Sequence, residues 1–441
     1  MKAGHDDSDA RALADWLVRI ERLHPREIEL GLERVSDVAR RMDLLRPQAH
    51  VITVAGTNGK GSCIAALERF LLSAGYRAGS FTSPHLLHYN ERIRVDGRMV
   101  SDRALCDSFA RIEAARGTVP LTYFEYGTLA ALDVFRLADL DVILLEVGLG
   151  GRLDAVNMLD ADHCLISSID LDHQDWLGET REEIALEKAG ILRPGTALVC
   201  GDPQPPHSLL ARARELACPL YCIGREFDAL PGASTWQWKG LDDGGRPLTL
   251  DDLPLPALAL ANVASALQLL LLTDFAPDRN AIVRALESMA LPGRQQLLQS
   301  NAPGGPHNLL DVAHNPHAGA LLAKKLQTLR TQGGAVHLVL AMMADKDHAG
   351  FLSALEKEVD FWYIAQVQTP RCLPAAGLMR RLEQQGGAAA VSGPHPSVEE
   401  AWQLACTRAK EGDTIVTTGS FHTVSVVLQL LADTDDSHSA R

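Results

Sequence analysis

A buried-strand pattern that passes through a glycine-rich loop into a helical pattern is the feature that most constrains this fold. The stretch VITVAGTNGKGSCIAALERFLLSAGY, residues 51–76, runs apolar, breaks at three glycines around Lys60, and resumes with apolar residues at helical spacing. A loop of this kind presents backbone N–H groups and the positive end of a helix dipole, which suits a polyphosphate. Lys60 adds a positive charge, and the Ser62 hydroxyl can reach a phosphate-bound Mg²⁺.

The loop is a variant of the Walker pattern G-x-x-x-x-G-K-[ST]. Val54 stands where the first glycine should be, and Gly61 intervenes before Ser62. The alternative is a glycine-rich turn without a ligand. The order of strand, loop, lysine, hydroxyl and helix favours a phosphate loop.

Strand and helix patterns alternate along most of the chain, which predicts an α/β fold with parallel sheets covered on both faces. Because 441 residues are too many for one core, we expect two domains. Residues 1–295 would form an N-terminal P-loop-type domain with a mostly parallel sheet flanked by helices. Residues 296–432 would form a smaller, Rossmann-like α/β domain, and the polar tail 433–441 is predicted to be disordered. Turn residues and short alternation in 225–256 indicate a small antiparallel excursion.

The formal charge of −14 argues against a general nucleic-acid or anionic-membrane surface, because phosphate binding needs clustered basic residues. No apolar run approaches the roughly 20 residues that span a bilayer. The eight cysteines form no CxxC pair, which favours reduced thiols and a reducing compartment. The sequence therefore predicts a cytoplasmic protein, and a monomer is expected.

Acidic side chains follow two apolar strands. Glu146 closes the strand DVILLE, and the stretch CLISSIDLDHQDW delivers Asp170, Asp172 and His173 just after the next strand. The carboxyl ends of parallel strands meet at one sheet edge, where ligands bind. Ser83 follows a further strand and can offer its hydroxyl to the same metal. Oxygen ligands beside phosphate favour Mg²⁺, although any one of these residues could instead be a strand-end cap.

Lys188 occupies an inward position of the helix in TREEIALEKAGIL, which Thr180 and Glu183 open as a capping box. One interpretation is a snorkelling lysine whose amine reaches water. The other is a desolvated lysine with a lowered pKa, whose neutral amine can react with CO₂ to give a carbamate.

Together these segments resemble the dihydrofolate synthase/folylpolyglutamate synthase family, which is related to the Mur ligases. The resemblance covers nearly the whole chain. The motifs that carry it are VAGTNGKGS, TSPHL, YFEYGTLAAL, LEVGLGGRLDAVN, DHQDWLG, EKAGI, LPGR and DVAHNPHA.

The resemblance implies an ATP-dependent amide ligase that forms carbon–nitrogen bonds. The γ-phosphoryl group of ATP would move to a substrate carboxylate, and the amine of L-glutamate would attack the acyl phosphate. The implied ATP contacts are Thr57, Asn58, Gly59, Lys60, Gly61, Ser62, Asn262, Arg294 and Asp311. The implied catalytic residues are Lys60, His173, Lys188 and His314.

Two Mg²⁺ sites are also implied by the resemblance. Ser83 and Glu146 would bind one ion and His173 would contribute to the pair. Lys188 is carbamylated in relatives, where the carbamate assists the second metal.

The segments LTYFEYGT and ELGLERV resemble the bifunctional bacterial type, which converts dihydropteroate to dihydrofolate and also extends reduced folates. The implied pterin contacts are Glu27, Ile28, Glu29, Leu30, Thr122, Tyr123, Phe124, Glu125, Leu153, Asp154 and Ala155. Phe124 would pack on the pterin, and Asp154 or Glu29 would accept its amino hydrogens, although plain core packing is the alternative for Phe124. Relatives carry Asp where Glu29 stands, so this loop is expected to differ.

Three other functions remain open at this point. The chain could be a folylpolyglutamate synthase without the first activity, or a Mur-type ligase that joins an amino acid to a cell-wall precursor. From a different class, it could be a switch that hydrolyses ATP to change shape. The additional metal ligands and the inward lysine favour the ligase.

Overall fold

The computed structural model describes residues 7–24, 26, 28–298, 305–330, 333–384 and 390–439. The chain divides into two compact units, Met1–Met289 and Ala290–Arg441, whereas the sequence prediction placed the division after residue 295. Each unit contains a mostly parallel sheet with helices between its strands, which confirms the predicted α/β class. In the described part of the chain, no helix has the length and apolar character needed to cross a membrane.

The first unit alternates helices and strands. Its helices are α1 Asp7–Glu21, α2 Glu33–Arg41, α3 Lys60–Ser73, α4 Asp102–Arg116, α5 Tyr123–Arg136, α6 Gln174–Leu177, α7 Arg181–Ala189, α8 His207–Glu215, α9 Leu260–Leu270 and α10 Arg279–Ser288. Its strands are β1 His50–Ala55, β2 Ala78–Phe81, β3 Ile93–Val95, β4 Arg98–Met99, β5 Val142–Glu146, β6 His163–Ile166, β7 Ala197–Cys200, β8 Leu220–Cys222, β9 Asp228–Pro231, β10 Thr235–Leu241 and β11 Pro247–Pro254.

The main sheet of this unit has the strand order β4-β3-β2-β5-β1-β6-β7-β8. Strands β2, β5, β1, β6, β7 and β8 run parallel, and β3 and β4 form an antiparallel margin. Every residue of β5 is buried, as expected of a parallel strand with both faces covered. Val54 of β1 pairs with Glu146 of β5, so the glycine loop and this carboxylate lie at the same sheet edge.

Strands β9, β10 and β11 form a separate antiparallel sheet in the order β11-β10-β9. This confirms the antiparallel excursion predicted for residues 225–256. Trp236 and Trp238 alternate with less buried residues along β10 and bury their rings. The indole N–H of Trp238 donates to the carbonyl of Ala264 at 3.2 Å, which attaches the small sheet to α9.

The second unit contains a sheet of order β12-β13-β17-β14-β15-β16, parallel except for β12. Its strands are β12 Gln296–Leu298, β13 His307–Leu310, β14 Val336–Leu340, β15 Phe361–Ala365, β16 Ala390–His395 and β17 Thr414–Thr418. Its helices are α11 Pro316–Arg330, α12 His348–Leu355, α13 Ala375–Gln384, α14 Val398–Arg408 and α15 Phe421–Ser439.

Helix α15 runs through most of the segment that the sequence predicted to be disordered. Val424 and Val427 are buried and anchor its first turns. Once those turns are fixed by packing, extending a helix into a polar segment needs no new nucleation. Residues 440–441 of the predicted tail lie outside the described residues.

Candidate functional site

The loop between β1 and α3 depends on two glycines. Gly59 has φ +89° and is the N-cap residue of α3, and a Cβ there would lie 2.6 Å from the amide atoms of Asn262. A Cβ at Gly56, which has φ +148°, would overlap Ser167 Oγ. Only glycine therefore fits either position. The contact at Gly59 also places Asn262, a predicted ATP contact, against the loop.

The middle of the loop is held by the segment that follows β6. The backbone N–H of Thr57 donates to the carbonyl of Ser168 at 2.6 Å, and Thr57 Oγ1 exchanges two 3.0 Å hydrogen bonds with the backbone of Asp170. Ser167 Oγ donates to the carbonyl of Asn58 at 2.6 Å. These hydrogen bonds fix the backbone of the loop, so the loop has its conformation before a ligand binds.

The charged and hydroxyl groups of the predicted phosphate loop lie where α3 begins. Lys60 Nζ donates to the carbonyls of Gly56 at 3.0 Å and Thr57 at 3.2 Å. Ser62 is buried in the first turn of α3. This arrangement can bind a polyphosphate, because a cationic side chain lies at the positive end of a helix.

Glu146 and Ser83 meet at the ends of neighbouring strands. Ser83 follows β2, and its backbone N–H donates to Glu146 Oε2 at 3.0 Å. Glu146 is only 4% exposed. Burial raises the pKa of the Cys63 thiol, which the Glu146 charge raises further and the Lys60 charge lowers, so both charges act on the same buried group.

His173 lies in the segment that follows β6. It adopts a left-handed conformation, with φ +51°, as the N-cap residue of α6, and it is exposed. No group of three His, Cys, Asp or Glu side chains suited to a metal occurs within the described ranges. Ser83 and Glu146 instead fit a Mg²⁺ ion that takes one or two protein oxygens and completes its shell with phosphate and water.

Lys188 is fully buried in α7, which rules out the snorkelling interpretation. The predicted capping box opens this helix, with Thr180 Oγ1 accepting from the backbone N–H of Glu183. The side chain of Lys188 is 3% exposed. Its pKa is lowered to about 7, mainly by burial and also by the charge of Lys60, against the opposing effect of Asp172. A substantial fraction of the amine is therefore neutral near pH 7 and can react with CO₂.

A cavity of about 260 Å³ gathers most of the predicted pterin contacts. It is lined by Ile28, Glu29, Leu30, Gly31, Ser83, Pro84, Arg92, Thr122, Tyr123, Phe124, Glu125, Gly148, Leu149, Leu153, Asp154 and Ala155. Glu27, the remaining predicted contact, lies outside the described residues. The cavity thus joins the loop before α2, the start of α5 and the glycine turn after β5.

Phe124 forms one wall of this cavity. Its ring lies 5.7 Å from the ring of Phe81, and a Cβ added at Gly148 would lie 2.7 Å from it. Gly148 therefore leaves room for the ring beside the turn. Phe124 is only partly buried, so one part of it packs in the core and another faces the cavity.

Asp154 is buried and already bonded to the backbone. Its Oδ2 accepts from the N–H of Leu149 at 2.8 Å and its Oδ1 from the N–H of Val156 at 3.1 Å, so it caps the short 3₁₀-helix Ala155–Met158. Burial raises its pKa to about 7 against the opposing effect of these N–H groups and of Lys60.

The sequence analysis missed Arg92, which lines the cavity, and Arg34, which contacts two of its lining residues. Arg34 Nη1 donates to Glu29 Oε1 at 2.9 Å and Nε donates to Glu125 Oε2 at 3.0 Å, while Nη2 donates to the carbonyl of Glu29. Arg34 therefore ties the loop before α2 to the start of α5. The only sequence signal was an arginine in ELGLERV beside the predicted pterin loop, and the pairing with Glu125 spans too many residues to be inferred from spacing.

The predicted ligand contacts of the second unit also converge. Burial raises the pKa of Asp311, opposed by Arg294, by the backbone N–H groups of Ala313 and Gln295, and by His314. The Arg294 guanidinium lies 4.6 Å from the centre of the Phe421 ring. His314 Nδ1 lies 2.9 Å from the carbonyl of Val312. A buried carboxyl group beside Arg294 and His314 suits recognition of a polar ligand.

Comparisons with known proteins point to one family. The family described as "Mur ligase, glutamate ligase domain" matches residues 293–421. The dihydrofolate synthase/folylpolyglutamate synthase of Escherichia coli (strain K12) is 44% identical, with 96% of each chain covered.

Solved structures agree. "E.coli FolC in complex with DHPP and ADP" superposes with a TM-score of 0.90 at 43% identity and covers 96% of this chain and 98% of its own. A bifunctional folylpolyglutamate synthase/dihydrofolate synthase with Mn, AMPPNP and L-glutamate bound gives a TM-score of 0.86 at 44% identity, with 95% and 98% covered.

Proposed function

This chain belongs to the dihydrofolate synthase/folylpolyglutamate synthase family, and from that membership we propose how its own residues perform the reaction. It is an ATP-dependent ligase that adds L-glutamate to dihydropteroate, giving dihydrofolate, and adds further glutamates to reduced folates. ATP and a divalent metal ion are its cofactors. The similarity to bifunctional enzymes over almost the whole chain disfavours the monofunctional, Mur-type and switch alternatives.

The reaction has two bond-forming steps. The acceptor carboxylate takes the γ-phosphoryl group of ATP, and ADP leaves. The amine of glutamate then attacks the acyl carbon, and phosphate and a proton leave. Both steps depend mainly on positioning and on neutralising charge.

We assign the phosphates of ATP to the glycine loop. The backbone of Thr57, Asn58, Gly59 and Gly61 would surround them, Lys60 would add its charge, and Ser62 would support the metal. The support is the loop geometry, which two obligatory glycines and the bonds from Ser167 and Ser168 fix in advance. Asn262, Arg294 and Asp311 are the further proposed ATP contacts.

We assign the metal to Ser83 and Glu146, with His173 and a Lys188 carbamate supporting a second ion. When bound, Mg²⁺ would neutralise phosphate charge during transfer. The chain supplies oxygen ligands at one sheet edge and a buried lysine that is partly neutral near pH 7. His314, held by the carbonyl of Val312, is the proposed catalytic residue of the second unit.

The cavity is the observation that supports the proposed function most directly. Every described pterin contact that the sequence predicted lines it. Glu29, Glu125 and Asp154 offer acceptors for amino hydrogens, and Phe124 offers an aromatic face.

Phosphate release by the purified protein, with Mg²⁺ and ATP, tests the function. We expect release that depends on glutamate with either dihydropteroate or tetrahydrofolate as acceptor, and products heavier by glutamyl units in mass spectra. Turnover on tetrahydrofolate alone would indicate a folylpolyglutamate synthase without the first activity. Phosphate release without glutamate would favour the ATP-hydrolysing switch. The cytoplasmic location and the monomeric state stay predictions.

A further inference from the structure

Arg92 is the one basic side chain among the cavity-lining residues, as far as the chain is described. It is the last residue of the short 3₁₀-helix Tyr89–Arg92 and is partly buried. Neither the glycine loop nor the proposed metal ligands use it, and the sequence analysis did not single it out. A partly buried cation in the wall of a substrate cavity is stabilised when an anionic group lies nearby.

Three rings hold the Arg92 guanidinium in place. Its carbon lies 5.4 Å from the ring centres of both Tyr89 and Tyr123, within the range of cation–π attraction. Its Nε donates to His85 Nδ1 at 2.8 Å. These contacts orient the guanidinium group of Arg92 without neutralising its charge.

No carboxylate pairs with Arg92 among the described residues. Other arginines of this unit have such partners: Arg34 pairs with Glu29 and Glu125, and Arg94 lies 3.2 Å from Glu68. The two terminal nitrogens of Arg92 therefore remain able to bind a planar oxyanion through two parallel hydrogen bonds.

The cavity wall carries both acidic and basic groups. Glu29, Glu125 and Asp154 supply acceptors for the amino hydrogens of a pterin, and Arg92 supplies a cation. The backbone of Arg92 is joined to Thr82, whose N–H donates to the Arg92 carbonyl at 2.9 Å, and the next residue, Ser83, contacts Glu146. Arg92 is thus joined through its backbone to the segment that carries the proposed metal ligand Ser83.

We propose that Arg92 binds the carboxylate of the pteroate-type acceptor and orients it for phosphorylation. This inference rests on the proposed function and deepens it. It makes Arg92 a substrate-binding residue that selects acceptors by their carboxylate.

A comparison of two ligands tests the proposal. Dihydropteroate and its carboxamide, in which the carboxylate is replaced by a neutral amide of nearly the same shape, are titrated into the full-length enzyme with ADP and Mg²⁺. The proteins are wild type, Arg92→Gln, Arg92→Lys and the control Arg98→Gln. Arg98 is exposed on β4 of the same hairpin.

We expect Arg92→Gln to weaken dihydropteroate binding about tenfold to a hundredfold, as loss of a charge-assisted hydrogen bond does, and to change carboxamide binding little. Arg92→Lys should fall between, because it keeps the charge and loses the fork. Arg98→Gln should match the wild type.

Three outcomes would overturn the inference. Equal weakening of both ligands would give Arg92 a merely structural role, and no weakening of either would remove it from the site. A wild-type protein that binds neither ligand would overturn the proposed function, and this inference with it.

Discussion

The glycine loop and the acceptor cavity lie in the same unit but are built by different means. The loop is shaped by backbone hydrogen bonds and by glycines whose Cβ would overlap Ser167 or meet Asn262. The cavity is lined by side chains from distant parts of the chain, and Arg34 joins two of them, Glu29 and Glu125. The proposed nucleotide site therefore depends on backbone geometry, whereas the proposed acceptor site depends on side chains.

The largest effect is expected at Gly59. Gly59→Ala would strain a residue at φ +89° and push a methyl group against Asn262, so the loop must move. Because misplacing a reacting group by about 1 Å can cost about a hundredfold, we expect ligation to fall about a hundredfold. The rate of phosphate release checks this.

Gly75→Ala is the matched control for that change. Gly75 has φ +92° with nothing within 4 Å of an added Cβ, so it carries the same strain without the contact. It should lose about 1 kcal/mol of stability and keep its activity. Equal activity in the two variants would show that the loop does not depend on Gly59.

Lys188→Ala should have an effect of about the same size. Removing the amine removes the proposed carbamate, so ligation should fall by about a hundredfold while ADP still binds. The exposed Lys239 provides the control variant, Lys239→Ala, which should behave as wild type. Full activity of Lys188→Ala, with and without bicarbonate, would contradict a catalytic role for this lysine.

Arg34→Gln should affect the cavity and leave the glycine loop unchanged. It leaves two carboxylates in the cavity without their shared cation, so we expect the KM for dihydropteroate to rise about tenfold, as for loss of a bond to a charged group. The KM for ATP should not change, because the glycine loop is held independently. Arg40→Gln on the exposed face of α2 is the control. A parallel rise in the KM for ATP would mean that the two regions are not independent.

The smallest effect concerns pH. Burial raises the pKa of Asp154 to about 7, so the folded state keeps a proton that the unfolded state has lost between about pH 4 and pH 7. Stability contributed by this group therefore decreases as pH rises through that window. Ionised Asp154 accepts hydrogen bonds better than protonated Asp154. The KM for dihydropteroate should therefore fall about threefold between pH 6 and pH 8.

Asp154→Asn checks the origin of that pH dependence. The variant should show a flat KM profile across the same range, whatever its absolute value, and its unfolding free energy should lack the decrease between pH 4 and pH 7. An unchanged slope in the variant would assign the titration to another group.

Local patterns predicted the parts of the molecule that depend on local chemistry. The glycine loop, the capping box at Thr180 and the strand that ends at Glu146 were visible because strand ends, caps and glycine turns are set by neighbouring residues. The helix that continues to Ser439 was not, because a polar tail gives no sign of the packing that nucleates it.

Site residues that depend on distant contacts were harder to predict. The burial of Lys188 was left open by its helix pattern and was decided by the packing around α7. Arg34 and Arg92 were missed because their partners, Glu125 and the rings of Tyr89 and Tyr123, are brought to them only by the fold. The resemblance supplied the pterin contacts, which no periodicity could have shown.

The most direct test of whether the glycine loop and the cavity are independent sites is a titration. ADP and dihydropteroate are added separately to Gly59→Ala and to Arg34→Gln. We expect Gly59→Ala to lose affinity for ADP and keep its affinity for dihydropteroate, and Arg34→Gln to do the reverse. If both variants lost both ligands to the same extent, the loop and the cavity would be one coupled site, which would contradict this account.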